Sequence, residues 1–292
     1  MSNREISLAH RIFLASRPIS WINTAYPFAV TYYLLTGSVD WRLVIGSVFF
    51  LIPYNVVMYG VNDVFDYFSD AQNPRKGGVE GALLPPATHR SVLMICAVMS
   101  APFILWLVFN GPVVSAVILF LLMVDVVAYS APPLRTKERA FLDSLTSSVH
   151  FVGPMIYAIS LAPVAWSSSL LIIIGSFLAW GVAAHAFGAV QDIIPDREAG
   201  LRSIATEIGA RRTVLLALGL WVVSGCLLLF LGLPDAVVAL AVVPYIVLAA
   251  PFVGISDESS ALAHGGWKNF LWINYSVGFL ITVFLIIRTL LG

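Results

Sequence analysis

Nine stretches of mostly apolar residues follow one another along this 292-residue chain, at 19–36, 42–61, 90–109, 111–129, 144–163, 168–190, 212–232, 235–253 and 269–288. A helix of roughly 20 such residues matches the hydrocarbon thickness of a bilayer. The chain is therefore expected to be all-α, a polytopic membrane bundle of nine transmembrane helices, with residues 1–292 forming one domain. Pro27, Pro53, Pro102, Pro154 and Pro244 fall inside these stretches. They are expected to kink helices rather than break them, since neighbouring helices re-satisfy the freed backbone groups. Composition agrees: 59% of residues are hydrophobic and 11% charged, against about 25% charged in soluble domains.

The placement of charge carries the next step. Of the 16 Lys and Arg residues, all but Arg42 and Arg288 lie in the N-terminal tail, in the segments after the second, fourth, sixth and eighth stretches, or, as Arg90 and Arg212, at the residue that ends such a segment. Positive segments stay cytoplasmic, so the N-terminus is expected in the cytoplasm and the C-terminus outside, in the cell membrane. The opposite loops, around Asn110 to Pro112, Ala162 to Ser168 and Gly232 to Pro234, are short and nearly uncharged. Residues 1–17 lack a signal-peptide apolar core with a small-residue cleavage site, so the first span is expected to direct insertion. The formal net charge is zero, which gives no reason to expect a nucleic-acid partner. Cys96 and Cys226 lie in apolar runs with no Cys or His at ligand spacing, so they are expected to be small buried hydrophobes.

Two acidic patches interrupt this apolar pattern, Asn62 to Asp70 and Asp192 to Asp196, both on the expected cytoplasmic side. On a helix of 3.6 residues per turn, Asn62, Asp66 and Asp70 drift only about 40° per step and share one face, and Asp192 and Asp196 align in the same way. Clustered carboxylates repel without a counter-ion. The five oxygen-bearing side chains suit a hard cation such as Mg²⁺, which prefers oxygen ligands and is commonly shared with substrate phosphates. Taken singly, each acid would equally serve as a helix cap or a solvated loop residue. Similar acidic pairs after the second and sixth spans point to a duplicated helical unit. Pro195 leaves open whether the second pair straddles a helix end.

Basic residues near the patches point to a phosphate-bearing substrate: Arg75 and Lys76, Arg197 and Arg202, and Arg135 with Lys137. Arg forks onto two phosphate oxygens. The positive-inside rule explains such residues equally simply, and it is the preferred account of Arg139, Arg211 and Arg212. Tyr129 precedes the stop Pro132-Pro133 at the mouth of the fourth span. Its ring would stabilise a carbocation or anchor the interface. Asp125 is a charge inside a span and a functional candidate by default, unless it reaches the interface. His150 and His185 are expected to be hydrogen-bonded bundle residues, with proton acceptance from a cation as the alternative.

The run Asn62-Asp63-x-x-Asp66-x-x-x-Asp70, the segment Tyr129-Ser130-x-Pro132-Pro133-x-Arg135, the pair Asp192-x-x-x-Asp196 and the segment Gly200 to Ala205 closed by Gly209 together resemble the UbiA-type intramembrane prenyltransferases, nearly end to end. The resemblance implies Mg²⁺-assisted alkylation, in which diphosphate leaves an allylic donor and an electron-rich acceptor takes the resulting cation. Asn62, Asp66, Asp192 and Asp196 match its metal-binding positions, and Asp70 matches the third acid of the first run. Asp66, Asp192 and Tyr129 are the residues expected to carry the chemistry. Arg17, Arg75, Lys76, Ser130, Arg135, Lys137 and Arg202 are expected around the diphosphate. The segment Asn73 to Ala82 replaces the Arg-Pro-Leu-Pro-Ser-Gly of many quinone-pathway members. With Tyr129 to Arg135 and Phe141 to Ser144, it looks like the lycopene elongases of C50 carotenoid synthesis. That implies a dimethylallyl diphosphate donor, or a longer prenyl diphosphate, and a lipophilic acceptor such as lycopene.

Other functions remain to be weighed. An aromatic quinone precursor as acceptor would want a dedicated cation in its pocket, whereas lycopene would want only an apolar tunnel. A cation transporter would hold its acids near the bilayer midplane, often on discontinuous helices. A metalloprotease is disfavoured, because no His-Glu-x-x-His occurs.

Overall fold

The computed structural model describes residues 7–71 and 82–291. The chain is helical, with no strand among the described residues. In order, the helices are α1 (Leu8–Ala15), α2 (Ile22–Thr36), α3 (Trp41–Leu51), α4 (Pro53–Phe65), α5 (Tyr67–Asp70), α6 (His89–Phe109) and α7 (Val113–Ser130). They continue with α8 (Leu142–Leu161), α9 (Ser168–Val190), α10 (Ile193–Glu198), α11 (Ile204–Ile208), α12 (Ala210–Leu229), α13 (Val243–Ala249) and α14 (His264–Leu291).

Local chemistry sets many of these boundaries. Asp40 opens α3 by accepting from the Leu43 backbone N–H at 3.0 Å, and Ser167 opens α9 by accepting from that of Leu170 at 3.3 Å. Gly37, at φ 63°, closes α2, because left-handed backbone there would strain a residue carrying a Cβ. Pro53 does more than kink the second expected span. The helix is interrupted at Ile52 (φ −118°, ψ −67°), and Pro53 takes the first position of α4, where its missing N–H leaves no bond broken. The expected span 235–253 is likewise not one α-helix, since α13 lies between 3₁₀ turns at Asp235–Val242 and Ala250–Phe252.

Among the described residues, seven helical stretches are long and apolar enough to cross a membrane: Trp41–Phe65, Pro86–Phe109, Val113–Ser130, Ser168–Val190, Ala210–Leu229, Asp235–Phe252 and Ser260–Leu291. Of the remaining expected spans, α2 has 15 residues. The other, α8, is diluted by Asp143, Ser144, Thr146, Ser147, Ser148 and His150. Large apolar side chains such as Phe109, Phe120, Phe279 and Leu290 lie on the outside, as a lipid solvent requires.

The chain divides into two compact units, Met1–Thr136 with Val149–Ala165, and Lys137–Ser148 with Trp166–Gly292. The first is built on an aromatic core of Phe28, Phe49, Phe50, Tyr54 and Tyr157, with Phe50 5.1 Å from both Phe28 and Tyr54 between ring centres. Glycine sets helix spacing there. A Cβ on Gly60 of α4 would stand 2.9 Å from the Cys96 sulfur of α6, and one on Gly153 of α8 would collide with Leu122 of α7. The second unit packs Trp180, Trp221, Tyr245, Trp267 and Phe270 together, with ring centres 4.9 Å apart for Trp267 and Phe270. Each unit carries one acidic patch. In the first, the patch ends α4 about 15 Å along the helix from Tyr54 of the aromatic core.

Candidate active site

The first acidic run does not lie on one unbroken helix. α4 stops at Phe65, Asp66 takes a bridge conformation (φ −97°, ψ −2°), and α5 resumes at Tyr67. Yet Asp66 N–H donates to the Asn62 carbonyl at 2.9 Å and Asp70 N–H to the Asp66 carbonyl at 2.8 Å. The four-residue step, and with it the shared face, survives the interruption. Asp66 and Asp70 are both buried.

Four groups in the first unit position these side chains. Ser130, the last residue of α7, donates to Asn62 Oδ1 at 3.0 Å, which fixes the orientation of the amide. Arg135 places Nη2 3.5 Å from Asp66 Oδ1, and its Nη1 donates to the Phe65 carbonyl at 3.4 Å. Arg17 donates to Asp63 Oδ1 at 3.2 Å and lies 4.2 Å above the Tyr59 ring. Burial opposes the Arg17 charge, but the field of Asp63, helped by Tyr59 and Asp70, outweighs it and lifts the guanidinium pKa above its usual value. The backbone N–H of Ala82 donates to Asp63 Oδ2 at 3.0 Å, so this one carboxylate ties both Arg17 and the end of the loop that follows the motif. Arg75, Lys76 and the rest of 72–81 lie outside the described residues.

Deeper along α7, Tyr129 meets His150 of α8 edge to face, with ring centres 4.9 Å apart. Asp125, one turn earlier on α7, brings Oδ2 to 3.4 Å from His150 Nε2. A cleft of about 720 Å³ opens at the opposite helix ends, lined by Arg42, Asn110 and Ala162 among others. It lies away from the acidic run.

The second unit repeats the local backbone. Asp192 adopts φ −98° and ψ 0° just after α9, α10 follows, and Asp196 N–H donates to the Asp192 carbonyl at 2.9 Å. The helix breaks before Pro195, not at it, and Pro195 occupies the first turn of α10, where an N–H has no helical partner. Both acids are half-buried. The loop after them is fastened from several sides. Asp143 Oδ2 accepts from the Ile204 N–H at 2.8 Å, Ser203 and Thr206 form a capping box on α11, and Asp257 Oδ1 accepts from the Ala210 N–H at 2.7 Å. Arg197 pairs with Asp257 at 2.8 Å and Arg202 with Glu207 at 2.8 Å, both at the surface. The Ala210 N–H, with Arg197 beside it, holds the Asp257 carboxyl below its usual pKa. Beneath the motif, Gln191 Oε1 and His264 Nδ1 are 2.6 Å apart, and Ser144 Oγ lies 3.0 Å from His185 Nδ1. Lys137 sits half-buried on the 3₁₀ turn Thr136–Glu138.

The structure thus gathers Arg17, Asn62, Asp66, Ser130 and Arg135 in one unit, and places Asp192, Asp196, Arg202 and Lys137 in the other. Asp63, Asp143 and Asp257 are positioning residues that local sequence reasoning missed. Among the described residues, no three His, Cys, Asp or Glu side chains come together at metal-binding spacing. The donors are nonetheless all oxygen, and Asp66 and Asp70 are buried carboxylates on successive turns. Such a set suits Mg²⁺, which keeps waters and shares phosphate oxygens rather than requiring a full protein cage.

Apolar spans with acidic residues at their ends define a multi-pass membrane protein. The chain belongs to the UbiA prenyltransferase family, whose model matches residues 24–273. It is 49% identical over 275 residues to a lycopene elongase/hydratase of Corynebacterium glutamicum, covering 94% of this chain and 96% of that one. It is 30% identical over 285 residues to a lycopene elongase/hydratase of Halobacterium salinarum, covering 93% and 95%. Among solved structures, a UbiA homologue from Archaeoglobus fulgidus bound to DMAPP and Mg²⁺ shares the fold, with a TM-score of 0.68 at 15% identity, covering 91% of this chain and 98% of that one.

Proposed function

We propose that the protein transfers a dimethylallyl group from dimethylallyl diphosphate to lycopene or a related C40 or C45 carotenoid, in a Mg²⁺-dependent reaction at the cytoplasmic side of the cell membrane. The observation that carries this reading is the 49% identity to a lycopene elongase/hydratase, which runs through nearly the whole of both chains. The spans support it too, since Lys and Arg occur in them only near their ends. Among the described residues, this favours an apolar acceptor over an aromatic acid. All nine apolar stretches cross the bilayer in this reading, with the N-terminus inside, as the distribution of Lys and Arg supports.

Asn62, Asp66, Asp70, Asp192 and Asp196 would hold Mg²⁺. When bound, the metal neutralises the diphosphate and makes it a better leaving group. Arg135, already beside Asp66, forks onto the phosphate oxygens, with Lys137, Arg202, Arg75 and Lys76 adding positive charge. Arg17 acts through Asp63, holding the motif's helix end and the loop after it. Ser130 fixes the Asn62 amide so that its oxygen keeps one direction. The Tyr129 ring offers its π-face to the allylic cation, and the apolar surroundings keep water away until the new C–C bond has formed.

Expression in cells that accumulate lycopene, followed by mass spectrometry of the pigments, tests this directly. Products heavier by one and two five-carbon units are expected. Unchanged lycopene, with folded protein in the membrane, overturns the proposal.

A further inference from the structure

The roles above leave Asp125, an acid inside a span, without a task. Asp125 sits within the apolar span of α7, five residues before its C-terminal end at Ser130, where an ionised carboxylate is expensive unless held and generally marks function. Oδ2 is buried 3.4 Å from His150 Nε2, an ion pair once the imidazole is protonated, and the imidazole is itself almost wholly buried. The His150 ring is braced by Tyr129 edge to face, and its backbone carbonyl accepts from the Tyr54 hydroxyl at 3.3 Å. The side chain of Asp125 keeps 19% of its surface accessible although Oδ2 has none, so the accessible part lies away from the histidine. The carboxylate has one oxygen enclosed beside the imidazole and part of its remaining surface accessible.

Position along α7 gives the open side a meaning. Ser130 marks the level of Asn62 and the diphosphate, Tyr129 lies beside it, and Asp125 shares the Tyr129 face one turn deeper. At about 1.5 Å per residue, Asp125 is some 7 Å below Ser130, roughly the length of a five-carbon chain. Close packing of Gly153 against Leu122 holds α8 to α7 one turn from the pair.

We propose that Asp125 is the proton acceptor that ends the reaction, with His150 as the residue that positions it and stabilises its charge. The assignment rests on the prenyl transfer proposed above. Cleavage of the allylic C–O bond leaves the electron pair on diphosphate. The acceptor's π-pair forms the new C–C bond and leaves a tertiary cation on the acceptor. Closing that cation releases one proton. Either a neighbouring C–H bond supplies it, its electron pair becoming a C=C bond, or a water adds through oxygen to give an alcohol and sheds it. In both cases Asp125 Oδ1 takes the proton, and the ratio of alkene to alcohol reports how it is taken.

The test uses the full-length protein in lipid vesicles with dimethylallyl diphosphate, Mg²⁺ and lycopene. Asp125→Asn is expected to lower elongated product about 100-fold and to change the alkene-to-alcohol ratio of what remains. Asp125→Glu should restore most of the rate with the wild-type ratio. His150→Gln should give a smaller loss with a ratio shifted in the same direction. Elongation by Asp125→Asn within about threefold of wild type at an unchanged ratio overturns the assignment, because a pair that merely clamps α7 to α8 alters stability and not product partition. If Asp125→Asn does not fold, the ratio from the Asp125→Glu and His150→Gln proteins decides in the same way. Wild-type protein that consumes no dimethylallyl diphosphate, with or without lycopene, fails the prenyl-transfer reading itself and takes this assignment with it.

Discussion

The two acidic motifs share a backbone and differ in nearly everything around it. Aligned at their helix breaks, Asp66 corresponds to Asp192 (φ −97°, ψ −2° against φ −98°, ψ 0°) and Asp70 to Asp196. The alignment then sets Asn62 against Gly188 and Asp63 against Ala189. In the first motif the acids are buried and cations stand against them. In the second they are half-buried, and the nearby Arg197 and Arg202 are tied to Asp257 and Glu207. The common backbone is what a duplicated helical unit would give. The difference teaches that the first motif rests on a buried charge network, while the second carries half-buried acids at a helix end steadied by a fastened loop.

The largest effect is expected where this comparison is most directly attacked. Asp66→Asn and Asp192→Asn should each reduce Mg²⁺-dependent turnover at least about 100-fold, since preorganised charge at the leaving group is commonly the largest catalytic term. Combining them should add little, because residues that act as one unit are not additive. Purified variants assayed for diphosphate release across a Mg²⁺ titration decide it. Near-normal activity in either single variant removes that acid from the site, and fully multiplicative losses make the two motifs independent.

Much of this was legible in the sequence, and the parts that were not have a common cause. Span existence follows from run length and apolarity, which is why 168–190 coincides with α9, bounded by the Ser167 cap. The four-residue spacing of the acids also carried through, because backbone hydrogen bonds bridge the breaks at Asp66 and Asp192. Those breaks themselves and the 3₁₀ character of 235–252 follow no local pattern, whereas the interruption at Ile52 has its signal in Pro53. The anchors were hidden for a similar reason. Asp63 meets Arg17 across 46 positions, Asp257 meets Ala210 across 47, and Asp143 meets Ile204 across 61. The available signal for Asp63 was its place next to Asn62, about 100° off the shared face of the motif.

Asp63 is the residue that most separates the two motifs, so its removal sharpens the comparison. Asp63→Asn leaves the largely enclosed Arg17 guanidinium without its counter-charge and frees the Ala82 end of the loop. A loss of about 2–3 kcal/mol is expected, at the low end for breaking a buried pair because Arg17 keeps 20% of its side chain accessible. Replacing both partners with apolar residues, as in Arg17→Met with Asp63→Leu, should recover part of it. Thermal unfolding in detergent measures both. An unchanged melting temperature for Asp63→Asn shows that the network is not what holds the first motif.

The smallest effect is expected at the corresponding anchor of the second motif, and it should depend on pH. Asp257 accepts from the Ala210 N–H and pairs with Arg197, and its folded-state pKa lies below the usual 3.8. A depressed carboxyl stabilises the fold above its unfolded-state pKa and loses that stabilisation as the pH falls through the folded value. Because the side chain is 32% accessible, the contribution is under about 1 kcal/mol. Asp257→Asn should therefore melt slightly below wild type at pH 7, with the gap closing as the pH drops below about 4. A gap that persists unchanged at low pH would assign the anchor to hydrogen-bond geometry rather than charge. The second motif would then differ from the first in the kind of interaction that holds it, and not only in its strength.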